Sequence, residues 1–418
     1  MTILITGATG FIGKYITSRL QQEGYHVIKA VRHPTADQED VMQMDFTHRE
    51  EASVLTEKLR GVDILINAVG IIAPTRTQSF EMLHAEAPIR LFAAAKAAGV
   101  KRIIQISALG SQEGTTPYHT TKNRADIYLR ELGLSYAILH PSVVYGEDGK
   151  STALFTGLAS LPITPLVGKG EQILQPIHID DLTQTVLIAL EHPDTQIELD
   201  LVGEYPISYK ELLAGFRRWL GYAPSRSVAL PTFGTDILGK MLDEPTVNSD
   251  NVRMLNQGNS AEVAPLRQFL GYTPKSIEEQ RFSQQANHAQ RLYATLYLIR
   301  PLLRWVIGLV WIWSGLVSAW LYPQTLALEL LHEVGMPAPW DVPLLYLASC
   351  LDIVLGILII IGFRLRLLLY FSMLVIVIYT LLLSFLAPYH WLHPFGPVLK
   401  NIPLIITIFI LSKLEEYR

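Results

Sequence analysis

Apolar and polar positions alternate in two different ways along the chain. Over the first 280 residues, short apolar runs of strand length precede stretches whose apolar residues recur every three or four positions, as in amphipathic helices. Repeated strand–helix units of these lengths predict a parallel sheet with helices on both faces. After residue 300 the apolar runs lengthen to about 20 residues with few charges, which predicts membrane-crossing helices.

The predicted architecture therefore has two parts and a connector. An α/β, Rossmann-type, doubly wound parallel sheet occupies residues 1–280, with a small substrate lobe mainly in residues 146–280. A polar connector covers residues 281–300, and an all-α bundle of four transmembrane helices covers residues 301–418. The predicted spans are residues 302–322, 342–362, 367–387 and 396–412.

Charge agrees with this division. The 418-residue chain has 34 Lys and Arg against 38 Asp and Glu, a net charge of −4 and one Cys. Twelve charged residues fall in the last 118 positions, about 10%, against about 20% in the first 300. The negative net charge argues against a nucleic-acid partner. One Cys excludes a disulfide framework and a Cys-based zinc site, and no cluster of His, Asp and Glu has metal-ligand spacing.

A glycine-rich turn opens the chain between a predicted strand and a predicted helix. Glycines at this place let the backbone approach a pyrophosphate, which the free N–H groups of the helix N-terminus bind. We therefore expect a dinucleotide cofactor, with an ordinary tight turn as the alternative. The turn residues expected to hold it are Gly7, Thr9, Gly10, Phe11, Ile12 and Gly13.

Three further positions are expected beside this cofactor. Arg32 ends the second strand, where an acidic residue would bind a ribose 2′-hydroxyl; Arg suits a 2′-phosphate and favours NADP(H) over NAD(H). A solvated surface Arg is the alternative. Asp45 is expected to line the adenine or to cap a loop. A further group follows another strand end: Ala68, Val69 and Gly70.

The candidate chemistry lies at Tyr118 and Lys122, which share a helix face because they are four residues apart. A Lys ammonium beside the phenol is expected to lower the Tyr pKa, so that Tyr118 exchanges a proton with a substrate oxygen. Ser107 closes the preceding strand and is expected to hold that oxygen by a hydrogen bond, with Ser111 as a second candidate. A surface Tyr–Lys pair is the alternative.

With these residues, the first 280 or so positions resemble the short-chain dehydrogenase/reductase superfamily in its extended or atypical branch. The resemblance implies NAD(P) binding, Tyr118 as acid/base, Lys122 on the nicotinamide ribose, and a segment from Pro141 to Val143 beside the nicotinamide. The run Ile106–Gly110 before Tyr118 is similar to the branch containing the accessory NAD(P)H-binding subunit of respiratory complex I.

The same comparison shows two departures from the superfamily pattern. His140 stands where many relatives have Arg, and Asp126 stands where Glu is common. We interpret His140 and His178 as structural residues. Asp180 and Asp181 are interpreted as a loop and helix cap.

The last 118 residues resemble the DoxX-like family of four-helix membrane proteins, most specifically in the run Pro394–Pro403. Two ionisable residues, Asp352 and Lys400, are candidate membrane-site residues, because charge within the hydrocarbon indicates function or pairing. Two interpretations stay open: the two residues contact each other, or Lys400 extends to the outer interface and Asp352 only holds helices together.

Basic residues near the predicted spans indicate the orientation. They precede the first span, join the second to the third and follow the fourth, whereas residues 323–341 contain none: Arg300, Arg304, Arg364, Arg366, Lys413 and Arg418. The positive-inside rule then places both termini and the reductase-like domain in the cytoplasm. The expected location is a bacterial-type inner membrane, which the chain crosses several times.

The functional prediction is a membrane-anchored NAD(P)H-dependent oxidoreductase. Hydride would pass between the nicotinamide and a carbonyl, hydroxyl or quinone-like group of a hydrophobic substrate, with Ser107, Tyr118 and Lys122 as the catalytic triad. The expected partners are the lipid bilayer, a quinone or lipid-like substrate, and subunits of a membrane complex. Two alternatives stay open: a nucleotide-sugar epimerase or dehydratase, and a non-catalytic NADPH-binding assembly or sensor subunit.

Overall fold

A computed structural model describes residues 1–35, 40–231 and 234–417. The chain divides into two compact units, Met1–Thr295 and Leu296–Arg418. Arg418, on which the predicted orientation partly depends, lies outside the described residues.

A seven-stranded sheet, parallel throughout, forms the centre of the first unit. The strands of this unit are β1 (Thr2–Thr6), β2 (His26–Val31), β3 (Val41–Gln43), β4 (Ile64–Asn67), β5 (Arg102–Ile106), β6 (Ser135–Pro141), β7 (Val144–Tyr145), β8 (Ile163–Val167), β9 (Ile173–Leu174), β10 (Ile177–His178), β11 (Gln196–Leu201), β12 (Ile207–Ser208) and β13 (Arg226–Leu230). The strand order is β11-β6-β5-β4-β1-β2-β3, so the chain reverses direction across the sheet between β1 and β4. Ligands of such sheets bind beyond the strand carboxyl ends at this point.

Helices cover both faces of the sheet, as predicted. The helices of this unit are α1 (Phe11–Gln22), α2 (Ala52–Lys58), α3 (Ala87–Ala98), α4 (Pro117–Glu131), α5 (Lys150–Ser160), α6 (Ile179–Glu191), α7 (Tyr209–Trp219), α8 (Thr235–Leu242), α9 (Ser249–Gln257) and α10 (Ala264–Leu270), with π-helical turns at Glu81–Glu86 and Glu278–Phe282. Ile16 of α1 and Val186 of α6 are buried on one face. Phe92 of α3 and Leu129 of α4 are buried on the other.

The smaller lobe has its own hydrophobic core around α5 and α7, which includes Leu212 and Phe216. Ser208 caps α7 in a reciprocal capping box with Glu211, so this helix begins where the Ser predicts. The sequence predicts a loop over residues 164–170. The structure instead has β8 over Ile163–Val167, because this stretch pairs in parallel with β13, a strand distant in sequence; only residues 168–170 form a turn.

The second unit is helical. Its elements are α11 (His288–Leu316), α12 (Gln324–Glu333), α13 (Ala338–Ile361), α14 (Leu365–Leu386) and α15 (Asn401–Leu414), with a π-helical stretch Val317–Leu321 and 3-10 turns Pro388–Leu392 and Glu415–Tyr417. Within the described residues, three helices are long and apolar enough to cross a bilayer: His288–Leu321, Ala338–Ile361 and Leu365–Leu386. The fourth predicted span is shorter than expected, because α15 begins only at Asn401 and has 14 residues, below the roughly 20 that span hydrocarbon.

Helices α11 and α13 cross at small residues. A Cβ added at Gly308 would lie 2.8 Å from the Gly356 carbonyl oxygen, and one at Gly356 would lie 2.5 Å from that of Gly308. Close backbone approach of this kind gives apolar helices the packing that lipid alone does not provide.

Candidate active site

The turn between β1 and α1 has a closed inner side and an open outer side. Gly7 has a φ of +72°, and a Cβ there would lie 2.6 Å from the Ala68 carbonyl oxygen. A Cβ at Gly13 would overlap the Gly7 carbonyl oxygen. At Gly10, in contrast, this oxygen is the one described atom within 4 Å, at 3.3 Å. The open side at the N-terminus of α1 fits a dinucleotide pyrophosphate. Three other predicted residues are at least partly exposed here: Thr9, Phe11 and Ile12.

A buried polar ladder joins the carboxyl ends of three neighbouring strands. The Thr6 hydroxyl donates to Asn67 Oδ1 at 2.6 Å, and Asn67 Nδ2 donates to Gln105 Oε1 at 2.7 Å. This ladder fixes the start of the loop containing Ala68, Val69 and Gly70. Sequence reasoning missed Thr6 and Gln105, although a polar residue near the end of an apolar strand was the available signal.

Arg32 and Asp45 both lie beyond the carboxyl ends of their strands. Arg32 is exposed, and with its amide oxygen turned toward the guanidinium, Gln78 accepts from Arg32 at 2.6 and 2.9 Å. Asp45 Oδ1 accepts from the backbone N–H of Thr47 at 2.9 Å and from its hydroxyl at 2.7 Å. Burial opposes the charged carboxylate, but these hydrogen bonds outweigh it and lower the pKa of Asp45. Asp45 therefore caps its own loop.

Tyr118 lies in the first turn of α4, which Pro117 starts and the Thr116 hydroxyl caps. Its ring is edge-on to those of Phe80, His84 and His119, at centroid distances of 5.8, 5.2 and 5.5 Å. Burial raises the pKa of Tyr118 to about 12. The expected lowering is therefore wrong for this structure, because removal from water disfavours the phenolate more than any nearby cation favours it. At neutral pH Tyr118 is a proton donor.

Lys122 is almost fully buried and is held by backbone carbonyls. Its Nζ donates to Ile106 O at 2.9 Å and to Val69 O at 3.3 Å, which ties α4 to the ends of β5 and β4. Burial lowers the pKa of Lys122 to about 8, although attraction to Asp126 opposes this. A Cβ at Gly70 would lie 3.4 Å from the same Nζ, so the ammonium lies against the predicted cofactor loop.

Ser107 is buried at the end of β5, and its hydroxyl donates to Asp126 Oδ2. Ser111 donates to the same oxygen at 3.4 Å. The structure therefore brings both predicted serines onto one buried carboxylate of α4. Sequence reasoning noted Asp126 only as a departure from the superfamily pattern. Its position four residues after Lys122, on the same helix face, was the signal for a role in the site.

His84 is a second residue that sequence reasoning missed. It is fully buried in the π-helical turn Glu81–Glu86, and its Nε2 accepts from the backbone N–H of Ile71 at 3.0 Å. Burial, with repulsion from Lys122, lowers the pKa of His84 to about 2, so the ring is neutral. Because Nε2 accepts, Nδ1 carries the proton and faces the Thr121 hydroxyl at 3.4 Å. His84 thereby joins α4 to the loop that follows β4, residues 68–71, which is called the β4 loop below.

The segment after β6 is fixed from the smaller lobe. The backbone N–H of Val143 donates to Asn259 Oδ1 at 2.9 Å, and Pro141 O accepts from Leu109 N–H at 3.0 Å. His178 is the N-cap of α6. The predicted cap at Asp180 and Asp181 is therefore displaced by two residues; both lie within the first turn, where carboxylates favour the helix dipole.

In the second unit, Asp352 is buried and its Oδ2 accepts from the Ser314 hydroxyl at 3.1 Å. Its Oδ1 has no hydrogen-bond partner among the described residues. Lys400 is exposed just before α15 and makes no ion pair with Asp352 in the part of the chain that the structure describes. Of the two interpretations, the direct contact with Lys400 is absent from the described residues, and Asp352 is hydrogen-bonded to Ser314 instead. The described residues contain no group of three His, Cys, Asp or Glu arranged for a metal ion.

Comparison with protein families agrees with both units. Residues 3–201 match the NAD dependent epimerase/dehydratase family, and residues 308–409 match the DoxX-like family. The chain joins an NAD(P)-binding, epimerase-type domain to a DoxX-like domain. The epimerase-type domain carries the seven-stranded sheet, and the DoxX-like domain carries the three apolar helices.

Three relatives are similar in sequence to the epimerase-type domain. A ceramide reductase of Caulobacter vibrioides is 23% identical over 290 residues, which cover 66% of this chain and 86% of that protein. The 40 kDa subunit of NADH-ubiquinone oxidoreductase from Neurospora crassa is 26% identical over 265 residues, or 60% and 69% of the two chains. Subunit 9 of the mouse NADH dehydrogenase (ubiquinone) 1 alpha subcomplex is 26% identical over 201 residues, or 46% and 53%.

Solved structures confirm the fold of this domain. MoeE5 in complex with UDP-glucuronic acid and NAD superposes with a TM-score of 0.55 at 20% identity, covering 68% of this chain and 97% of that chain. The Escherichia coli NADPH-dependent quinone oxidoreductase QOR2, complexed with NADPH, gives a TM-score of 0.54 at 20% identity, covering 67% and 98%.

Proposed function

We propose that the protein is a membrane-anchored NAD(P)H-dependent reductase of a hydrophobic, lipid-like or quinone-like carbonyl compound. The observation that carries the proposal is the place of Tyr118, one helical turn before Lys122 and at the carboxyl edge of a dinucleotide-type sheet. Its ring packs edge-on against that of His84, and its raised pKa keeps the phenol protonated at neutral pH. The DoxX-like domain supports a substrate drawn from the bilayer. Similarity to a ceramide reductase supports a lipid.

The residues around Tyr118 suit proton donation to a carbonyl oxygen. A bound nicotinamide would supply hydride to the carbonyl carbon. Tyr118 holds the proton that the oxygen needs, and three aromatic rings pack edge-on against its own ring. The Lys122 ammonium, one turn along α4, favours the phenolate that remains after the proton has left. His84 and Lys122 keep the β4 loop against this helix.

NADPH is the preferred cofactor in this proposal. Arg32 stands at the end of β2 with its guanidinium placed by Gln78, a position that suits bidentate binding of a 2′-phosphate. Arg32→Ala should weaken NADPH binding at least tenfold and leave NADH binding within about twofold, since one charge-assisted pair contributes about 1.5–3 kcal/mol. Arg49→Ala, another exposed Arg of the same domain, is the matched control. An unchanged NADPH/NADH ratio would reject the role.

Turnover tests the reductase itself. The full-length protein in nanodiscs would be mixed with NADPH and long-chain keto lipids or decylubiquinone, and NADPH oxidation would be followed by absorbance. Tyr118→Phe should lower kcat by about 10²–10⁴-fold with cofactor binding retained. Tyr128→Phe, on the same helix, should retain the wild-type rate. Equal rates for wild type and Tyr118→Phe would refute the proposal.

An NAD(P)-holding subunit of a membrane complex is the second candidate. The similarity to subunits of NADH-ubiquinone oxidoreductase favours it. The side chains of Lys122 and Ser107 both donate hydrogen bonds to other residues of the domain, as in a site that holds a cofactor. The Tyr118→Phe variant separates the candidates, because an assembly subunit would keep its physiological function and its bound nucleotide after this change.

The proposed location is a bacterial inner membrane with the epimerase-type domain in the cytoplasm. The Lys and Arg distribution around the three apolar helices supports this orientation. A reporter fused at His332, in α12, should be active only on the periplasmic side. The matched fusion at Phe363, between α13 and α14, should report from the cytoplasm; the reverse result would overturn the topology.

A further inference from the structure

Two buried ionisable groups are connected to Ser107: the carboxylate of Asp126, which accepts from its hydroxyl, and the imidazole of His140 beside that carboxylate. Asp126 is fully buried on α4, and His140 is 4% exposed on β6. His140 Nε2 is 3.8 Å from Asp126 Oδ2, the oxygen that also accepts from the hydroxyls of Ser107 and Ser111. None of the proposed chemistry above uses either residue. Buried ionisable groups need partners, since an unpaired charge in a protein interior is costly.

The charges around this pair are complementary. Helix α4 contributes Lys122, Asp126 and Arg130, whereas β11 contributes Glu198 and Asp200. Arg130 is engaged by Glu198 at 2.7 Å, and Asp200 Oδ1 lies 3.4 Å from the other imidazole nitrogen, Nδ1 of His140. Burial opposes the charged imidazole, but hydrogen bonding and attraction to Asp126 and Asp200 outweigh it and raise the pKa of His140 to about 9. The two imidazole nitrogens of His140 therefore each lie within ion-pair distance of a carboxylate, Asp126 on one side and Asp200 on the other.

We propose that Asp126 and His140 form a buried ion pair that positions Ser107 as a hydrogen-bond acceptor for the hydroxyl group that the reduction forms. A serine hydroxyl has one proton and two lone pairs. The Ser107 proton is directed to Asp126, so its lone pairs are left for the site. In the proposed reduction Tyr118 gives its proton to the carbonyl oxygen. The hydroxyl group that results has the proton that the carbonyl lacks, and it can donate this proton to Ser107.

This inference deepens the proposed function and rests on it for the substrate, but the ion pair has a test of its own. We would follow the histidine ring carbons of the full-length, detergent-solubilised protein by NMR across pH 5–10, and assign His140 with His140→Gln. His140 should titrate near pH 9 in the wild type and at least one pH unit lower in Asp126→Asn. Ser107→Ala should move the midpoint upward, because Asp126 then has one donor fewer.

Two results would overturn the inference: a His140 midpoint near 6.5 in the wild type, or a midpoint that neither Asp126→Asn nor Ser107→Ala moves. Glu131→Gln is the matched control, a carboxylate-to-amide change at an exposed position of the same helix, and should leave the midpoint unchanged. Circular dichroism would verify that each variant is folded.

Turnover of decylubiquinone with NADPH tests the positioning role. Asp126→Asn should lower kcat at least tenfold with the KM for NADPH unchanged, and Asp126→Glu should restore part of the loss. At pH 9.5, His140→Arg should be faster than His140→Gln, because it retains the positive charge. Wild-type rates in Asp126→Asn would overturn the inference. A wild-type protein that does not turn over the probe would refute the proposed function, and the His140 titration in Asp126→Asn and Ser107→Ala would then decide the inference alone.

Discussion

Replacing Gly13 by Ala should separate cofactor binding from folding. An added Cβ would overlap the Gly7 carbonyl oxygen and lie 2.7 Å from the Gly7 carbonyl carbon and 3.0 Å from Ala8 Cα. Ordinary contacts of a Cβ are 3.4–4 Å, so α1 must move away from β1 by roughly 0.5–1 Å, and overpacking of this kind costs about 1–3 kcal/mol. Gly7 O cannot yield easily, because it accepts from the backbone N–H of Gly10 at 2.9 Å.

The displacement carries the N-terminus of α1 with it, and the N–H groups expected to bind the pyrophosphate move too. We expect at least a tenfold loss of NADPH affinity, about 1.4 kcal/mol, measured by fluorescence titration of the full-length protein. Gly24→Ala is the matched control. Gly24 has a φ of +83° and no described atom within 4 Å of an added Cβ, so Ala there costs about 1–2 kcal/mol of backbone strain without touching the turn. NADPH affinity within twofold of wild type in Gly13→Ala, or an equal loss in Gly24→Ala, would refute the reasoning.

Three further outcomes are expected. Wild-type stability should rise, by on the order of 3 kcal/mol, as the pH increases from about 8 to 10.5, because burial lowers the Lys122 pKa from 10.5 to about 8; Lys122→Met should lack this rise and should abolish turnover. The raised pKa of His140 gives a pH dependence of stability in the opposite direction. Its stabilisation of the folded state, also on the order of 3 kcal/mol, is complete below pH 6.5 and is lost as the pH rises through about 9. The unfolding temperature of the wild type should decline over this range, and that of His140→Gln should lack this decline. Gly356→Leu should lower the unfolding temperature of the DoxX-like domain in detergent through its clash with Gly308, whereas Gly335→Ala, with no described atom near its added Cβ, should cost only backbone strain.

The strand–helix alternation and the glycine turn could be predicted because both depend on local pattern. Gly13 is fixed by contacts with Gly7 and Ala8, a few residues before it, and the ends of β4 and β5 follow from where apolar runs stop. The requirement for Gly at position 7 also includes a contact with Ala68, which is distant in sequence. The contact between Asp126 and His140 depends on how α4 lies on β6, which no local pattern encodes. His84 was missed for a similar reason, because a π-helical turn places it.

The direction of the Tyr118 pKa shift could not be predicted from the spacing of residues along the helix. Four residues on a helix put Tyr118 and Lys122 on one face, as the sequence predicts. The sequence does not show how deeply each side chain is buried or what else it can bond. In the structure the Lys122 ammonium donates to the carbonyls of Ile106 and Val69, and burial of the Tyr118 phenol raises its pKa instead of lowering it.

In the DoxX-like domain, hydropathy predicted three long helices well and the fourth poorly. Runs of apolar residues fix the three because length and composition suffice. The stretch before Asn401 contains Pro394, Gly396 and Pro397, which end regular structure, so α15 starts later than the predicted span. The partner of Asp352 depends on the register between α11 and α13, set by Gly308 and Gly356, and this register is not visible in hydropathy.

The polar residues of the sheet are concentrated where its aliphatic pattern ends. The interiors of the central strands are aliphatic and fully buried, yet their carboxyl ends hold buried polar side chains: Thr6, Asn67, Gln105, Ser107 and His140. Burying such groups gains little over burying aliphatic ones, even when each finds a partner. Thr6, Asn67 and Gln105 are hydrogen-bonded from strand to strand, and Ser107 is hydrogen-bonded separately to α4, so these contacts fix the loops that follow β4 and β5. Such an arrangement suits a site that holds a dinucleotide, because a binding site keeps its geometry when the residues around it are locked by packing and hydrogen bonds.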